Sequence, residues 1–590
     1  MRLLYSILSL RKCVQRWPYN FAFNAETFKF RSSSTISRTG FDNYEEARIS
    51  WNFEIPENFN FAADVLDVWA DKEKTGERNN LIPAFWFAFE DGRQLKWSFQ
   101  DFQRETMRTA CMLEKQCGLK KSDIVMVMLP KMPEFWLVNI AAIRIGFILS
   151  PGSMTLTAKD IAYRFSTLKP SCIIAHETVV DLIDQVADCC SSLKTKIVVS
   201  STTRRNTGWL DFHSLYKNAD TNHKCAETKS NESMMVFFSS GTTGLPKMIE
   251  HSHSSYGLAL AVTGRYWLDL TSENILWNMS DTGWAKTAYS NIFAPWSCGA
   301  CVFIHQMSRY SPDTALKILS EFPIDTLCAP PLAYRTMVHE NITSHDFPKL
   351  THCVSAGEAL NPEIIRLWEQ ATNLKIYEGY GQTETVLLIG MFKCLDYKPG
   401  SIGKPAPGID VVILDENENE LGAGLNGEIA LVRKKEGIFG LFNGYRNNPE
   451  MTKLRLTEKY FHTGDMAYYD EDGYFWFVGR NDDVINSAGY RIGPFEVESA
   501  LMEHPAVVEV AVTSSPDPSR GEVVKAFIVL KDTYCQKNEQ HLIKELQDHS
   551  KRVTAPYKYP RKIEFVKELP KTTSGKIKRF ELREKEWKKN

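Results

Sequence analysis

Residues 239–247, SSGTTGLPK, form a segment of glycine and small hydroxylated residues whose composition suits phosphate binding. Its glycines let successive backbone N–H groups point at one anion, its hydroxyl groups add donors, and Lys247 adds a positive charge. It is not a Walker A loop, because Pro246 replaces the second glycine of that motif and Met248 replaces its metal-binding hydroxyl. Taken alone, the segment is about equally compatible with an ordinary turn between a strand and a helix.

Two further polar segments, SAGEAL at 355–360 and YEGYGQTET at 377–385, follow apolar runs typical of buried strands. The carboxyl ends of strands are where α/β sheets bind ligands, so we expect both segments at a ligand site. Gly379 and Gly381 would let a flat ligand approach the backbone, and Glu384 would suit a hard cation such as Mg²⁺. A satisfied loop tyrosine and a solvated glutamate are equally good interpretations of each segment in isolation.

Two charged residues complete the candidate set. Asp465 follows a Thr-Gly turn in YFHTGD, where its carboxylate is suited to accept two hydroxyls of a ribose, and Arg480 closes the next strand. Near the C-terminus, the Ser-Gly turn of LPKTTSGKIKR presents Lys576. Alone, such a lysine is interpreted as a solvated charge.

The elements that must position these residues follow from hydrophobic patterning. From about residue 120, apolar runs alternate with helical patterns, which is typical of parallel α/β sheets covered on both faces. The predicted strands are DIVMVML, CIIAH, KIVVS, MMVFF, CVFIH, DTLCAP and THCVSAG, and PEFWLVNIAAIR is predicted as a helix. From about residue 400, short strands between turns predict a small barrel or antiparallel sheet. After residue 482, three strands and two helices predict a small α/β domain.

The first residues differ in composition from the rest of the chain. Residues 1–38 contain seven basic residues and a single acid, Glu26, and their leucines and isoleucine can share one helical face. This pattern is typical of a mitochondrial transit peptide, for which we assign residues 1–42; a merely basic tail is the alternative. We predict a large N-terminal domain over 43–481, with a barrel-like subdomain at about 400–480, and a small C-terminal domain over 482–590.

Composition excludes some partners. A formal net charge of -2 gives no electrostatic case for nucleic-acid binding. The longest apolar stretch, FWLVNIAAIRIGFIL, contains Arg144 and falls short of the about 18 residues that a membrane span needs. The one C-x-x-C pair, Cys298 and Cys301, lacks the further ligands of a zinc site, and we interpret these thiols as structural.

The four motifs, in this order, resemble the adenylate-forming superfamily of acyl-CoA synthetases, luciferases and peptide-synthetase adenylation domains. The resemblance runs from about residue 45 to the C-terminus. Within the superfamily, MSDTGWAK, GSIGKPAPGIDV and APYKYPRKIEFVKELPKTTSGKIKR are most similar to mitochondrial medium-chain acyl-CoA synthetases. The implied fold is α/β: a large N-terminal domain of stacked α/β sheets plus a small β-barrel, and a mobile small α/β C-terminal domain. Ser239 departs from the family's usual threonine but keeps a hydroxyl.

The resemblance also implies roles for residues at matching positions. ATP would be bound by Ser239, Ser240, Gly241, Thr242, Thr243, Gly244, Leu245, Pro246, Lys247, Gly357, Glu358, Glu378, Gly379, Tyr380, Gly381, Gln382, Thr383, Asp465, Arg480 and Lys576, of which Lys576 is the catalytic residue. CoA would be bound by Ala488, Gly489, Tyr490, Arg520, Lys551, Tyr559, Pro560 and Arg561. The acyl group would lie by Trp284, Gly379 and Arg491, with Mg²⁺ at Glu384 and the interdomain hinge at Asp482.

The implied activity is that of a medium-chain fatty acid:CoA ligase that forms acyl-AMP and then acyl-CoA in the mitochondrial matrix. Its expected partners are ATP, a fatty or aromatic carboxylic acid and CoA, with Mg²⁺ as cofactor and a monomer favoured. Two rivals stay open: an adenylating enzyme with another acceptor, such as a carrier protein or oxygen, and a non-catalytic binding protein. The CoA-site match weighs against the first, and the set Lys247, Glu384, Asp465, Arg480 and Lys576 weighs against the second.

Overall fold

The computed structural model of this chain describes residues 41–588 except 52–53, 201–206, 240–245, 488–489, 518–519, 556 and 573–574. The predicted transit peptide therefore lies almost wholly outside the described residues. The same holds for the centre of the segment at 239–247 and for Ala488 and Gly489.

The secondary structure mixes short strands and helices along the whole described chain. The strands are β1 (Phe85–Ala88), β2 (Gln94–Trp97), β3 (Ile124–Met128), β4 (Ile148–Pro151), β5 (Cys172–His176), β6 (Thr195–Val199), β7 (Leu210–Asp211), β8 (Ser233–Ser239), β9 (Lys247–Ser252), β10 (Ile275–Asn278), β11 (Cys301–His305), β12 (Thr326–Ala329), β13 (His352–Ala356), β14 (Ile376–Gly381), β15 (Leu387–Gly390), β16 (Lys404–Pro405), β17 (Val411–Leu414), β18 (Gly427–Val432), β19 (Gly444–Tyr445), β20 (Tyr460–Tyr469), β21 (Phe475–Arg480), β22 (Ile485–Ser487), β23 (Tyr490–Ile492), β24 (Val507–Asp517), β25 (Gly521–Leu530) and β26 (Lys562–Phe565).

The α-helices are α1 (Tyr44–Ile49), α2 (Asp67–Thr75), α3 (Phe99–Cys111), α4 (Pro133–Ile145), α5 (Ala158–Leu168), α6 (Val180–Asp184), α7 (Phe212–Lys217), α8 (Leu260–Val262), α9 (Ala285–Ala288), α10 (Ala294–Ser297), α11 (Pro312–Glu321), α12 (Pro331–Met337), α13 (Pro362–Thr372), α14 (Pro449–Arg455), α15 (Pro494–Met502), α16 (Glu539–Val553) and α17 (Arg579–Lys588). Short π-helical turns occur at Ala62–Leu66, Met112–Gln116, His253–Leu258, Thr263–Trp267 and Tyr289–Phe293, and 3₁₀ turns at Glu177–Val179, Ala187–Cys189, Ile342–Ser344 and Asp532–Tyr534. No helix among the described residues is long and apolar enough to span a bilayer.

Two large sheets with mostly parallel pairing carry the first three quarters of the chain. One has nine strands in the order β16-β15-β14-β13-β12-β10-β11-β1-β2, and the other has eight in the order β19-β9-β8-β4-β3-β5-β6-β7. Their central strands are buried because helices cover both faces, which is why they appear in the sequence as continuous apolar runs. All seven predicted strands of this region and the predicted helix are present.

The helix α4 lies in the main core, and nearly all of its residues are buried. The charge within it, Arg144, is fully buried and paired: its Nη2 and Nη1 donate to the two carboxylate oxygens of Asp67 at 2.6 and 3.0 Å. A buried charge is stable only with such a partner. The helix is therefore a core element, as the sequence predicts.

The segment predicted to be barrel-like contains a four-stranded antiparallel sheet in the order β17-β18-β20-β21. Beyond it, β23-β22-β25-β24 form a further sheet, and β26 pairs with β25 in parallel. This last unit includes three elements that the sequence analysis did not predict. The strands β22 and β23 have three residues each, and α17 is so rich in charge that it shows no apolar stripe.

Candidate functional site

The glycine-rich segment at 239–247 connects two antiparallel strands. β8 and β9 pair directly, and Ser239 lies opposite Lys247 at the end of the hairpin that the segment connects. The alternative of an ordinary turn that leads into a helix is therefore wrong: KMIEHS forms a strand that pairs along β8, and four of its six residues are buried. The Tyr163 hydroxyl of α5 donates to the Pro246 carbonyl at 2.9 Å and supports the second arm.

Lys247 lies among charged residues from distant parts of the chain. Its Nζ is 5.6 Å from the centre of the Tyr445 ring. Partial burial lowers the pKa of this amine, the nearby Arg455 lowers it further, and Glu384 opposes both effects. The lysine thus marks a position where two carboxylates, Glu384 and Asp482, meet two arginines, Arg455 and Arg480. With Lys247 the cations outnumber the carboxylates, which suits an anionic ligand.

A hydrogen-bond network fixes the carboxylate of Asp465. Tyr380 Oη and Gln382 Nε2 both donate to its Oδ2, at 2.7 and 2.6 Å. Gln382 Nε2 also donates to the Thr463 carbonyl at 2.8 Å. Because the network occupies Oδ2, it leaves Oδ1 as the oxygen with capacity for a further partner.

Arg480 faces Asp465 across the sheet. The two residues are register partners on β20 and β21, and Arg480 Nε lies 3.8 Å from Asp465 Oδ1 and 3.4 Å from Asp482 Oδ1. Burial raises the pKa of Asp465, and the positive charge of Arg480 opposes that rise. The structure therefore brings together three of the residues that the sequence analysis singled out.

Glu384 is held from two sides. Tyr445 Oη donates to Glu384 Oε1 at 2.8 Å. Just before it in the chain, the Thr383 carbonyl accepts from His251 Nε2 at 2.6 Å, and burial lowers the pKa of His251 to about 3, so the ring stays neutral. The neutral imidazole accordingly donates from Nε2 and accepts at Nδ1 from Ser255 Oγ, 2.9 Å away. His251 links the hairpin of β8 and β9 to the backbone just before Glu384 and was not singled out in the sequence.

Glu384 lies in the turn between β14 and β15. A carboxylate is a suitable ligand for Mg²⁺, which proteins usually bind through one or two carboxylates together with substrate phosphates. Glu384 fits that requirement, because Tyr445 occupies Oε1 and Oε2 is the second carboxylate oxygen. Among the residues described, no group of three or more His, Cys, Asp or Glu forms a metal site made of protein alone. The phosphates of a nucleotide would have to complete the coordination.

Gly379 and Gly381, which are expected to admit a flat ligand, are also needed for the packing of β14. A Cβ on Gly379 would lie 2.6 Å from the Trp267 ring, and one on Gly381 would lie 2.6 Å from the Val386 carbonyl. The glycines therefore make room for the protein's own groups. Glu378 is buried and accepts from the Leu360 backbone N–H at 2.8 Å, and burial raises its pKa to about 8. Its side chain ties β14 to the SAGEAL segment.

The turn that presents Lys576 lies against the large domain. A Cβ on Gly575 would lie 2.8 Å from Leu332 Cδ2 of α12. Burial raises the pKa of Glu358, and the positive charge of Lys576 is the largest effect opposing that rise. Gly357, next to Glu358, has a φ of +106°, and a Cβ there would meet no atom within 4 Å. The turn with Lys576 and the SAGEAL segment therefore lie close enough for their charges to interact.

One residue of this cluster was missed in the sequence. Lys286 lies two positions after Trp284 in DTGWAK, and its Nζ donates to the Ala356 carbonyl at 3.1 Å. Burial lowers the pKa of Lys286, the positive charge of Lys576 lowers it further, and the negative charge of Glu358 opposes both effects. A lysine among small and aromatic residues gives no periodic signal of burial, so only the fold reveals it. Trp284 itself is half-buried at the start of α9.

The residues assigned to CoA lie on the C-terminal unit. Lys551 Nζ and the Arg561 guanidinium both lie over the Tyr559 ring, at 4.4 and 4.9 Å from its centre. Tyr490 stacks on Tyr557 with ring centres 4.4 Å apart.

The other assigned residues of this unit lie at or beside its strands. Arg520 is exposed at the start of β25, beside Asp517. Pro560 precedes Arg561, whose N–H donates to β25. The backbone of Arg491 pairs with Asn486 in the hairpin of β22 and β23.

Comparisons with known proteins show which family this chain matches. A model of the AMP-binding enzyme family matches residues 73–446, and a model of the AMP-binding enzyme C-terminal domain matches residues 496–576. The mitochondrial acyl-coenzyme A synthetase ACSM3 of Mus musculus is 52% identical over 95% of this chain and 96% of its own length. The mitochondrial ACSM4 of Homo sapiens is 52% identical over 91% and 92%.

Solved structures show the same relationship. The anthranilate CoA ligase AuaEII, in complex with anthranoyl-AMP, superimposes with a TM-score of 0.80 at 29% identity, covering 91% of this chain and 98% of that one. An acyl-CoA synthetase of Brucella canis superimposes with a TM-score of 0.71 at 30% identity, covering 93% and 100%.

Proposed function

This chain belongs to the AMP-binding enzymes and, within them, to the acyl-coenzyme A synthetases, and we propose that it activates a medium-chain fatty or aromatic carboxylic acid. The resemblance inferred from the motifs is thereby confirmed. As an ATP-dependent ligase that forms carbon–sulfur bonds, it works in two half-reactions. The proposal concerns which acid it takes and which of its residues serve each half-reaction.

In the first half-reaction, a carboxylate oxygen attacks the α-phosphorus of ATP. The bond between the α- and β-phosphates breaks, and pyrophosphate leaves with the bonding electrons. Two anions must meet in this step, so catalysis consists mainly of positioning and charge neutralisation. Lys576 would neutralise the reacting carboxylate and α-phosphate, while Ser239, Lys247 and the residues between them hold the β- and γ-phosphates.

The nucleotide would be oriented by the network around Asp465. Oδ1 of this carboxylate, left open by Tyr380 and Gln382, is suited to accept from the ribose hydroxyls. Gly357, Glu358 and the backbone of Glu378 to Thr383 would frame the adenine. Mg²⁺, held at Glu384, would supply positive charge for the phosphates of ATP. Arg480 adds a fixed positive charge near the same phosphates.

In the second half-reaction, the sulfur of CoA attacks the acyl carbonyl of acyl-AMP, the thiol loses its proton, and AMP leaves. A thiol with a pKa of about 8.5 is partly ionised near neutral pH and needs no strong base. Lys576 would have to withdraw for CoA to enter. A rotation of the C-terminal domain about Asp482 would remove it and bring Tyr490, Lys551, Tyr559 and Arg561 to the site.

The observation that supports this assignment most directly is the proximity of Lys576 to Glu358 and Lys286. Lys576 itself is exposed, so its amine is available to an anion bound beside these two residues. This arrangement supports the proposal that the described domain orientation serves the first half-reaction.

The chain length of the acid and the cellular compartment are proposed from the similarity to relatives and from the N-terminal composition. Chain length depends on side chains from distant segments, and one methylene contributes only about 1–3 kcal/mol of discrimination. Medium-chain acids, with aromatic acids second, are what the family implies. The relatives ACSM3 and ACSM4 are named mitochondrial proteins, and the basic N-terminal segment suits import, so we propose the mitochondrial matrix.

The experiment is pyrophosphate release with ATP, Mg²⁺ and a panel of straight-chain acids and benzoate, with and without CoA. We expect the highest kcat/KM with acids of medium length, and AMP release that depends on CoA. Equal rates with acetate, medium-chain and long-chain acids would remove the specificity proposal. Pyrophosphate release without any effect of CoA on AMP release would instead indicate another acceptor.

A further inference from the structure

The helix α12 of the large domain contacts the C-terminal domain through a charged residue that the reaction scheme above does not use. Arg335 Nη1 lies 3.4 Å from Glu509 Oε1 on β24. The two side chains are only 23% and 15% exposed, so solvent screens this ion pair less than a surface pair.

Glu509 also reaches the turn that presents Lys576. Lys571 Nζ donates to both oxygens of Glu509, at 2.7 and 2.8 Å. Lys571 pairs across the turn with Ile577, and the Thr572 N–H donates to the Lys576 carbonyl at 2.7 Å. The base of the turn is therefore fixed to Glu509, and through it to Arg335.

The tip of the same turn touches α12 as well. A Cβ on Gly575, whose φ is +85°, would lie 2.8 Å from Leu332 Cδ2, so the backbone of the turn approaches the Leu332 side chain closely here. Leu332 and Arg335 are one helical turn apart on α12. One contacts the tip of the turn, and the other contacts the residue that holds its base.

We propose that Arg335 and Leu332 form a docking site that holds the C-terminal domain in the orientation for acyl-AMP formation, with Arg335 as a positioning residue for Lys576. The ion pair between Glu509 and Lys571 lies within the C-terminal domain and persists when that domain rotates. The contact between Arg335 and Glu509 joins two domains and must break. It therefore stabilises one orientation and contributes nothing to the other.

This inference rests on the proposed two-step reaction, and each half-reaction can be measured separately. ATP–pyrophosphate exchange reports the first. Conversion of chemically prepared acyl-AMP and CoA to acyl-CoA reports the second.

The primary variants change the charge at position 335 in three steps. Arg335→Lys keeps it, Arg335→Gln removes it, and Arg335→Glu places a like charge beside Glu509. We expect exchange close to wild type for Lys, about tenfold lower for Gln and lower still for Glu. Thioester formation from supplied acyl-AMP should stay the same or rise in all three. Leu332→Ala should also lower exchange alone.

The matched control is Arg366→Gln on α13 of the same domain. Arg366 pairs with Glu363 on its own helix and is half exposed, so its loss should change neither half-reaction. Glu509→Gln tests for a direct effect of Arg335 on the substrates, because docking requires Glu509 and a direct effect does not. Exchange that falls in Arg335→Gln but not in Glu509→Gln would overturn the proposal, as would equal losses in both half-reactions. Absence of either half-reaction in the wild-type chain would instead reject the proposed function.

Discussion

Asp465 and Arg480 stand opposite each other on neighbouring antiparallel strands, with Arg480 Nε 3.8 Å from Asp465 Oδ1. The distance is longer than a hydrogen bond, and it leaves the carboxylate oriented by Tyr380 and Gln382 rather than neutralised by the guanidinium. A carboxylate prepared in this way accepts hydroxyl groups with little reorganisation.

Asp465→Asn tests the ribose assignment. The amide keeps the shape of the side chain but replaces one acceptor oxygen with a donor, so the network and the ribose can no longer both be satisfied. We expect ATP–pyrophosphate exchange to fall by about 10²–10³-fold. Asp410→Asn is the control, because Asp410 pairs with Lys434 on the surface of the same region. Similar losses in the two variants would show that the effect is not specific to the nucleotide site.

Lys576→Ala tests the separation of the half-reactions. Removal of the amine should abolish acyl-AMP formation, while acyl-AMP supplied with CoA should still give acyl-CoA. Lys578→Ala, two residues further on, removes an exposed lysine that pairs with Glu581 and should leave both rates unchanged. The assignment fails if a folded Lys576→Ala protein loses both half-reactions equally.

His462 gives the stability of the protein a defined pH dependence. Its Nδ1 lies 3.1 Å from Glu428 Oε2, and this hydrogen bond raises the pKa of the ring above its unfolded value of about 6.5. Since the folded state holds the proton more tightly, the stabilisation is fully present below about pH 6.5 and is lost as pH rises through the folded pKa.

The measurement is the difference in free energy of unfolding between the wild type and His462→Gln across this pH range. We expect the difference to shrink as pH rises. Glu428→Gln removes the main cause of the raised pKa and should move the loss to lower pH. A difference that is constant with pH would contradict this account.

Gly379→Ala tests why glycine occurs on β14. The added Cβ would lie 2.6 Å from the Trp267 ring and 2.9 Å from Leu387 Cδ1, so the core must shift. We expect a loss of about 1–3 kcal/mol in the free energy of unfolding, measured with urea. Gly422→Ala is the matched control, since nothing lies within 4 Å of its added Cβ. Loss of ATP affinity without loss of stability would restore the original idea that this glycine makes room for a ligand.

The sequence predicts strands well where burial is complete. β5 and β11 are predicted to the residue, because each is a short apolar run flanked by residues that leave the core. β9 was missed because its half-buried residues recur at every third position, so KMIEHS lacks the alternation with a period of two that is typical of a strand. α17 was missed because its charge hides the contacts of Leu582 and Glu586 with the core.

The candidate site likewise contains some residues that the sequence identifies and others that it does not. Motifs identify residues that contact small, fixed ligands, because such contacts impose residue types at set positions. They do not reveal residues that act through another residue, such as His251 behind Thr383 or Arg335 beside Glu509. Those roles depend on distances between distant segments, which no local spacing encodes.

The guanidinium of Arg480 lies between two carboxylates, 3.8 Å from Asp465 and 3.4 Å from Asp482. On the proposed roles, one charge therefore serves both the nucleotide and the pivot. Thermodynamic linkage makes the effect reciprocal. If binding of a nucleotide changes the equilibrium between the two domain orientations by some factor, its affinities for the two orientations must differ by the same factor. AMP and ATP differ in the phosphate charge that they place near Arg480. Their dissociation constants would therefore depend on the domain orientation to different extents.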